Sequence, residues 1–302
     1  MSIRFHRSLQ KYWQFYLCLI PIVGYFIVFH YAPMYGVQIA FRDYNPIVGI
    51  TTSPFVGLKH FLRFFNSYQF SRLIMNTAGI SLYQLAAAFP APIILAIMLS
   101  ELRSNRFRKT MQMLTYAPHF LSVVVLVGMM ATMLSPRTGI VNFALRLLGM
   151  ESIFFMAEPD WFKTLYVFSG IWQNCGWSSI IYIAAIAGID PSLFEAAIAD
   201  GASSLKRITH VTIPSIMPTI IILLILQCGQ IMSVGFEKVF LMQNSVNMPA
   251  SDVISTYVYR AGLLNAQISF AAAVGLFNSV INCTMLVIVN TFARKMGETS
   301  LF

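Results

Sequence analysis

The feature that most constrains this chain is a set of six long stretches without Lys, Arg, Asp or Glu. They lie between Lys11 and Arg42, Arg72 and Glu101, Lys109 and Arg137, Lys163 and Asp190, Arg207 and Glu237, and Arg260 and Arg294. Each stretch can hold one membrane-spanning helix, which needs about 20 apolar residues. The composition agrees, because 57% of the residues are hydrophobic and only 10% are charged. The chain is therefore an integral membrane protein in contact with lipid.

The apolar stretches predict helices rather than barrel strands. They are continuously apolar instead of alternating, and a barrel strand needs only about 10 residues. We predict an all-α membrane protein with a single transmembrane domain over residues 1–302. The predicted spans are residues 13–31, 78–99, 111–134, 165–186, 218–236 and 271–293.

Basic residues are distributed unevenly around these spans. They concentrate before the first span and after the second, fourth and sixth: Arg4, Arg7, Lys11, Arg103, Arg106, Arg108, Lys109, Lys206, Arg207, Arg294 and Lys295. By the positive-inside rule, these segments and both termini face the cytoplasm. The net charge of +9 follows from this topology. Because the basic residues form no single patch, we expect no nucleic-acid partner.

The sequence shows no catalytic or metal-binding motif. It lacks the phosphate-binding GxxxxGK[ST] loop, the HExxH zinc motif and the GxSxG nucleophile motif. Cys18, Cys175, Cys228 and Cys283 occur singly within spans, which predicts neither disulfides nor zinc. His119 follows Pro118, and we interpret it as a packed side chain rather than a proton relay. We expect no enzymatic activity.

Residues 190–218, the longest predicted cytoplasmic segment, contain a short helix. Asp190 and Pro191 are typical of a helix N-cap and first turn, and Gly201 is typical of the residue that ends a helix. By helical periodicity, one face of this helix is an apolar stripe formed by Leu193, Phe194, Ala197 and Ile198. Another face carries small and acidic residues, namely Ser192, Glu195 and Ala199. Such a helix can approach a partner protein closely.

A second turn should follow this helix. We expect Ser203 to cap it, Lys206 and Arg207 to lie on it, and Pro214 to end it before the fifth span.

At these residues the chain resembles the permease subunits of binding-protein-dependent ABC importers. Their cytoplasmic signature is EAA, three residues, Gly, nine residues and I-x-L-P. Here it comprises Glu195, Ala196, Ala197, Gly201 and, with Val and Ile as conservative replacements, Val211-Thr212-Ile213-Pro214. The resemblance covers nearly the whole chain and is closest to the polysaccharide (LplB-like) branch, through "YNPIVGI", "FPAPIILAIMLSELR", "APHFLSVVVLVG", "GWSSIIYIAAIAGIDPSLFEAAIADGA" and "TYVYRAGL".

The resemblance implies the type I importer fold, with six spans in a bacterial plasma membrane and a coupling helix docked on an ATPase. The coupling residues would be Glu195, Ala196, Ala197, Asp200, Gly201 and Pro214. It also implies that ATP and Mg bind to two separate ATPase subunits and not to this chain. The other implied partners are a second homologous permease in a heterodimer, an extracytoplasmic solute-binding protein and a carbohydrate, in particular an oligosaccharide.

Polar and aromatic residues within the spans are the candidates for substrate contact. They are Tyr83, Gln84, Trp172, Gln173, Asn174, Trp177, Gln227, Gln230, Asn278 and Asn282. Amide and aromatic groups suit sugars, which offer hydroxyl edges and apolar ring faces. Gln173 and Trp177 share a helix face by their spacing, as do Asn278 and Asn282. The same side chains can instead form hydrogen bonds between helices, and the sequence leaves this alternative open.

Two other functions remain open from the sequence alone. A stand-alone channel or facilitator would need no coupling helix. A membrane-embedded enzyme acting on a glycolipid would need buried carboxylates, a metal site or an activated nucleophile, and none is visible in the sequence.

Overall fold

A computed structural model describes residues 2–295 and residue 300, with backbone alone for residues 2–11. The side chains of Arg4, Arg7 and Lys11 therefore lie outside the described part. Among the described residues the only β element is an isolated bridge between Arg42 and Phe55.

The rest of the regular structure is helical. The α-helices are α1 (Ser2–Phe26), α2 (Ala32–Met34), α3 (Gly49–Thr52), α4 (Lys59–Phe65), α5 (Phe70–Tyr83), α6 (Pro90–Ser100), α7 (Asn105–Tyr116), α8 (Val123–Met133), α9 (Ile140–Leu147), α10 (Pro159–Ala187), α11 (Pro191–Ala199), α12 (Ser204–Arg207), α13 (Ile213–Cys228), α14 (Phe236–Met242), α15 (Met248–Ser251), α16 (Ile254–Tyr259) and α17 (Ile268–Lys295). Wider π-helical turns occupy Ile27–Tyr31, Gln84–Ala88, Ile208–Thr212 and Arg260–Leu264, and 3₁₀ turns occupy Tyr35–Phe41 and Ala117–Phe120.

Several of these helices combine into segments long and apolar enough to cross a membrane. Four do so as continuous units, namely Tyr12–Phe41, Phe70–Ser100, Ser204–Cys228 and Ile268–Lys295. Two bent pairs raise the number to six if each is one span, namely Asn105–Phe120 with Val123–Met133, and Pro159–Ala187 with Pro191–Ala199. The predicted all-α membrane fold is thus confirmed, with four to six spans in the described part of the chain.

The third predicted span, residues 111–134, is not one continuous helix. Its two halves meet at an angle of 100°. Pro118 lies in the 3₁₀ turn that ends the first half, and Leu121 then takes an extended conformation with ψ 133°. The Ser122 hydroxyl accepts a hydrogen bond from the Val125 amide at 3.3 Å and caps α8. Pro118 lies inside the predicted span, where a kink is expected, and the structure shows a full break of the helix there.

The prediction that the second turn ends at Pro214 was wrong. The chain remains helical from Ser204 to Cys228. A proline ring collides with the carbonyl four residues earlier in a regular α-helix, and a π turn widens the backbone there. The turns Ile27–Tyr31, Gln84–Ala88 and Ile208–Thr212 each end two residues before a proline. Proline is therefore accommodated in these spans instead of ending them.

Contacts divide the chain into two units, and the smaller comprises residues 1–66 and 261–276. Within it, the Tyr44 amide donates to the Ser269 hydroxyl at 2.8 Å. The Arg63 guanidinium donates to Gln267 at 2.9 Å and lies 4.5 Å from the centre of the Phe270 ring. These contacts hold residues distant in sequence together.

The larger unit comprises residues 67–260 and 277–302. Its core is formed by Ile80, Leu126, Val127, Met130, Phe162, Tyr166, Val167, Val234, Val239, Met242 and Val253. A buried ion pair lies in the same unit: Asp252 accepts from Arg260 at 2.6 Å and lies 3.6 Å from Arg72. The Asp252 side chain is only 1% exposed, so this charge depends on its two guanidinium neighbours.

Candidate functional site

A cavity of about 610 Å³ opens in the larger unit. Its walls come from α6, α10, α13 and the adjoining turns, and its lining is Gln84, Ala88, Phe89, Pro92, Val167, Gly170, Ile171, Asn174, Cys175, Trp177, Ser178, Ile180, Ile181, Tyr182, Leu223, Leu226, Gln227 and Gln230. A second cavity of about 260 Å³ shares Gln84, Gln227 and Gln230 with it. The three shared glutamines therefore lie between the two cavities.

Five of the ten residues proposed for substrate contact line the larger cavity, namely Gln84, Asn174, Trp177, Gln227 and Gln230. On α10, the spacing of Gly170, Asn174 and Trp177 places them on one side of the helix. Three separate segments thus bring amide groups and one indole ring to a common space.

The other five residues lie elsewhere in the larger unit. Gln173 is 7% exposed and donates to the Leu121 carbonyl at 2.9 Å, which ties α10 to the bend between α7 and α8. Asn282 accepts from the Met232 amide and donates to the Ser233 hydroxyl, both at 2.8 Å. These two amides make hydrogen bonds within the bundle.

Asn278, Tyr83 and Trp172 are likewise absent from the cavity lining. The Asn278 Oδ1 atom is buried without a hydrogen-bond partner among the described residues. The Tyr83 ring meets the Phe168 ring edge-on with centroids 6.3 Å apart, and Trp172 is 49% exposed.

The Trp177 ring is held in place by its neighbours. The His119 ring stacks on it with centroids 4.6 Å apart and an angle of 5° between planes, and Phe120 packs edge-on. His119 Nδ1 donates to Asn174 Oδ1 at 3.0 Å, since an amide oxygen can only accept. His119 packs as expected, yet it packs on two residues that line the cavity. Trp177 remains 45% exposed.

The predicted cytoplasmic helix is present as α11. Asp190 Oδ1 accepts from the Ser192 amide at 2.9 Å, and this hydrogen bond lowers the pKa of Asp190 below its ordinary value. At the other end, Gly201 has φ +74°, a conformation that L side chains rarely adopt. The Ala202 amide donates to the Ala197 carbonyl at 2.9 Å, as in a Schellman motif. The predicted start and end are confirmed.

The surface of α11 is more open than the predicted apolar stripe suggests. Phe194 and Ala197 are half-buried, but Leu193 and Ile198 are 49% and 58% exposed. Glu195 is exposed and has no basic group within 4.0 Å in the described residues. Ser203 occupies the N-cap position of α12 without the expected side-chain capping bond. This helix therefore presents apolar and acidic groups to the exterior.

Arg207, which the sequence predicts as a topology signal on the second turn, also connects the loop to another helix. It donates to the Ala202 carbonyl at 3.3 Å and to the Ser204 hydroxyl at 3.1 Å. Its guanidinium also lies 3.8 Å from Glu101 at the end of α6. Nothing local in the sequence pairs two residues so distant in the chain.

Among the described residues, no group of three or more His, Cys, Asp and Glu side chains could hold a metal ion.

Residues 88–298 match the protein family described as "Binding-protein-dependent transport system inner membrane component". Two Bacillus subtilis (strain 168) proteins are similar over almost their whole length. The polygalacturonan/rhamnogalacturonan transport system permease protein YteP is 42% identical, covering 97% of this chain and 91% of its own. Protein LplB is 41% identical, covering 95% and 90%.

Two solved structures share the fold. One, a bacterial ABC transporter involved in the import of the acidic polysaccharide alginate, matches with a TM-score of 0.89 and 40% identity, covering 97% of this chain and 99% of that chain. The other, a bacterial alginate ABC transporter in complex with alginate pentasaccharide-bound periplasmic protein, matches with a TM-score of 0.90 and 39% identity, covering 99% and 100%.

Proposed function

Because this chain belongs to the family of binding-protein-dependent transport system inner membrane components, we propose that it lines half of an alternating-access pathway for an oligosaccharide. Residues 1–302 act as one transmembrane permease domain, with both termini cytoplasmic. The chain is a transport subunit and not an enzyme. ATP and Mg bind to two partner ATPase subunits. A second permease forms a heterodimer with this chain, and an extracytoplasmic solute-binding protein delivers the sugar.

The cavity supports a carbohydrate as the substrate. Trp177 offers an indole face held by His119, and an apolar sugar face can stack on such a ring. Gln84, Gln227 and Gln230 add amide donors and acceptors for hydroxyl groups. The volume of about 610 Å³ lies within the roughly 300 to 1,000 Å³ of small-molecule sites. Similar proteins are named for polygalacturonan/rhamnogalacturonan transport and for import of the acidic polysaccharide alginate.

The exposed helix α11 supports coupling to an ATPase. Its exposed Leu193 and Ile198 supply apolar contact area, and Glu195 has no partner within the described residues. We assign it to a cleft of the ATPase, where Glu195 meets a basic group. Docking can drive transport only if its free energy differs between the inward-open and outward-open states. The observation that carries this proposal is the exposed, capped helix whose end is fixed by Gly201.

The test replaces Glu195 by arginine and Gly201 by valine in the complete importer in proteoliposomes. Removing one member of a buried interfacial pair costs about 2 to 5 kcal/mol, and an exposed pair costs under about 1 kcal/mol. Gly201→Val adds backbone strain, because valine is unfavourable at φ +74°. We expect both variants to lose ATPase association or sugar-stimulated ATP hydrolysis, with capture by the binding protein unchanged.

Ser204→Ala is the control, since it removes one exposed hydroxyl from the same loop while Arg207 keeps its contacts with Ala202 and Glu101. Wild-type ATPase binding and uptake in both test variants would show that α11 is not the coupling element. Uptake that needs neither ATP nor the ATPase would instead favour a stand-alone facilitator.

A further inference from the structure

One buried cation in the larger unit lacks a carboxylate partner. Lys238 on α14 is 9% exposed. Its ammonium donates to the Tyr166 carbonyl at 2.8 Å and lies 4.7 Å from the centre of the Tyr166 ring. Among the described residues, no carboxylate oxygen comes within 4.0 Å of it. An ammonium has three N–H donors, and one carbonyl with one ring face satisfies only part of them.

Lys238 lines neither cavity itself, but its ammonium lies next to a residue of each lining. A side-chain Cβ at Gly170 would be 3.3 Å from the Lys238 Nζ atom, and Gly170 lines the larger cavity. Tyr166, one turn earlier on α10, lines the smaller cavity. Because position 170 is glycine, no side chain stands between that wall and the ammonium. The site lies roughly 30 Å along α10 from the end next to α11.

Burial of an unpaired ammonium is unfavourable. The penalty for moving an ion out of water is several kcal/mol, and a nearby anion offsets part of it. Burial lowers the pKa of Lys238 to about 8. Asp252, a deeply buried charge in the same unit, shows the usual arrangement, since it accepts from Arg260 at 2.6 Å. Lys238 is therefore a cation whose surroundings favour the arrival of a negative group.

We propose that Lys238 is the counter-charge for a carboxylate of the transported sugar, so that the pathway prefers oligouronides to neutral oligosaccharides. This inference rests on the proposed import function and adds the charge of the substrate to it. The carboxylate reaches the ammonium past Gly170, while hydroxyl groups of the same sugar meet Gln84 and Gln230 between the two cavities. A solely structural Lys238 would instead hold α14 against α10 through the Tyr166 carbonyl.

The test compares trigalacturonate with its carboxyl-reduced, neutral counterpart. Both are offered with the binding protein to the complete importer in proteoliposomes, and initial ATP-dependent uptake rates are measured for wild type, Lys238→Met and Lys238→Arg. The control is Lys59→Met, which removes the same charge from a side chain that is 61% exposed. Any preference of the binding protein cancels, because each variant is compared with wild type for the same sugar.

Truncating one partner of a buried charge pair lowers affinity by about tenfold or more. We expect Lys238→Met to slow trigalacturonate uptake about tenfold and neutral uptake less than about twofold. Lys238→Arg and Lys59→Met should stay near wild type for both sugars. If the wild-type importer moves only the acidic sugar, the proposal is supported when Lys238→Met loses trigalacturonate uptake and Lys238→Arg retains it.

The inference is overturned if Lys238→Met takes up trigalacturonate at the wild-type rate. It is also overturned if this variant loses uptake of both sugars equally or fails to assemble into the complex. Wild-type import of the neutral sugar alone overturns only the charge preference. If the wild-type importer moves neither these trisaccharides nor any other carbohydrate, the proposed function itself fails.

Discussion

Replacing Gly176 by alanine should destabilise the chain, although alanine is the better helix former by about 1 kcal/mol. Gly176 lies on α10 against α7, and a Cβ there would overlap the carbonyl oxygen and carbon of Thr115. Both are backbone atoms, so no rotamer change relieves the contact. The two helices must separate by roughly 1 Å, and van der Waals contacts along both are then weakened. Overpacking costs about 1 to 3 kcal/mol and sometimes more, which leaves a net loss of about 2 kcal/mol.

The assay heats the detergent-solubilised chain and measures the fraction that remains monodisperse by fluorescence-detected size-exclusion chromatography. A loss of this size should lower the midpoint by several degrees. The control is Gly128→Ala on α8, where a Cβ would meet nothing within 4 Å. Its midpoint should equal or exceed that of wild type, because only the helix propensity changes. A Gly176→Ala midpoint at or above wild type would refute the close approach of α7 and α10.

Two further pairs of substitutions test the cavity and the buried ion pair. Trp177→Ala should lower sugar uptake while the complex still assembles. Gln173→Ala should instead lower the thermal midpoint, because it leaves the buried Leu121 carbonyl without its donor, at a cost of about 1 to 3 kcal/mol. The opposite pattern would return Trp177 to a packing role. Asp252→Asn should destabilise the chain by about 3 to 5 kcal/mol, since two guanidinium groups lose their carboxylate. Lys59→Met, which removes the exposed partner of Asp43, should change stability by about 1 kcal/mol or less. Equal thermal midpoints for these two variants would show that burial does not decide how much each ion pair contributes to stability.

The features that the sequence predicted correctly depend on local information. A membrane excludes charge from a whole stretch of chain, so charge-free windows indicate spans without any knowledge of packing. The ends of α11 were predictable for the same reason. Asp190, Pro191 and Gly201 act on the backbone of their own neighbourhood, through a side-chain hydrogen bond, a fixed φ and a positive φ.

The features that escaped prediction depend on distant residues. Gln173 and Asn174 are adjacent and equally polar, yet one bonds to Leu121 and the other lines the cavity. Periodicity gives the faces of a helix but not the neighbour that each face meets. The contact of Arg207 with Glu101 joins two loops that are distant in sequence, which no spacing rule pairs. Pro118 marks where the helix is expected to kink, but the size of the bend depends on the extended backbone of Leu121, which carries no signal of its own.

The continuous helix that replaced the expected break at Pro214 changes how coupling would work. From Ser204 the helical chain runs to Cys228, and Gln227 near its far end lines the cavity. That separation is roughly 35 Å at 1.5 Å per residue, so a tilt of about 10° at the loop end would move Gln227 by roughly 6 Å. Arg207 contacts Glu101, and the segment that ends at Ser100 carries Gln84 on the cavity wall. On the proposed function, a single displacement of α11 therefore moves two walls of the cavity, whereas a chain broken at Pro214 would absorb the motion before it reached either.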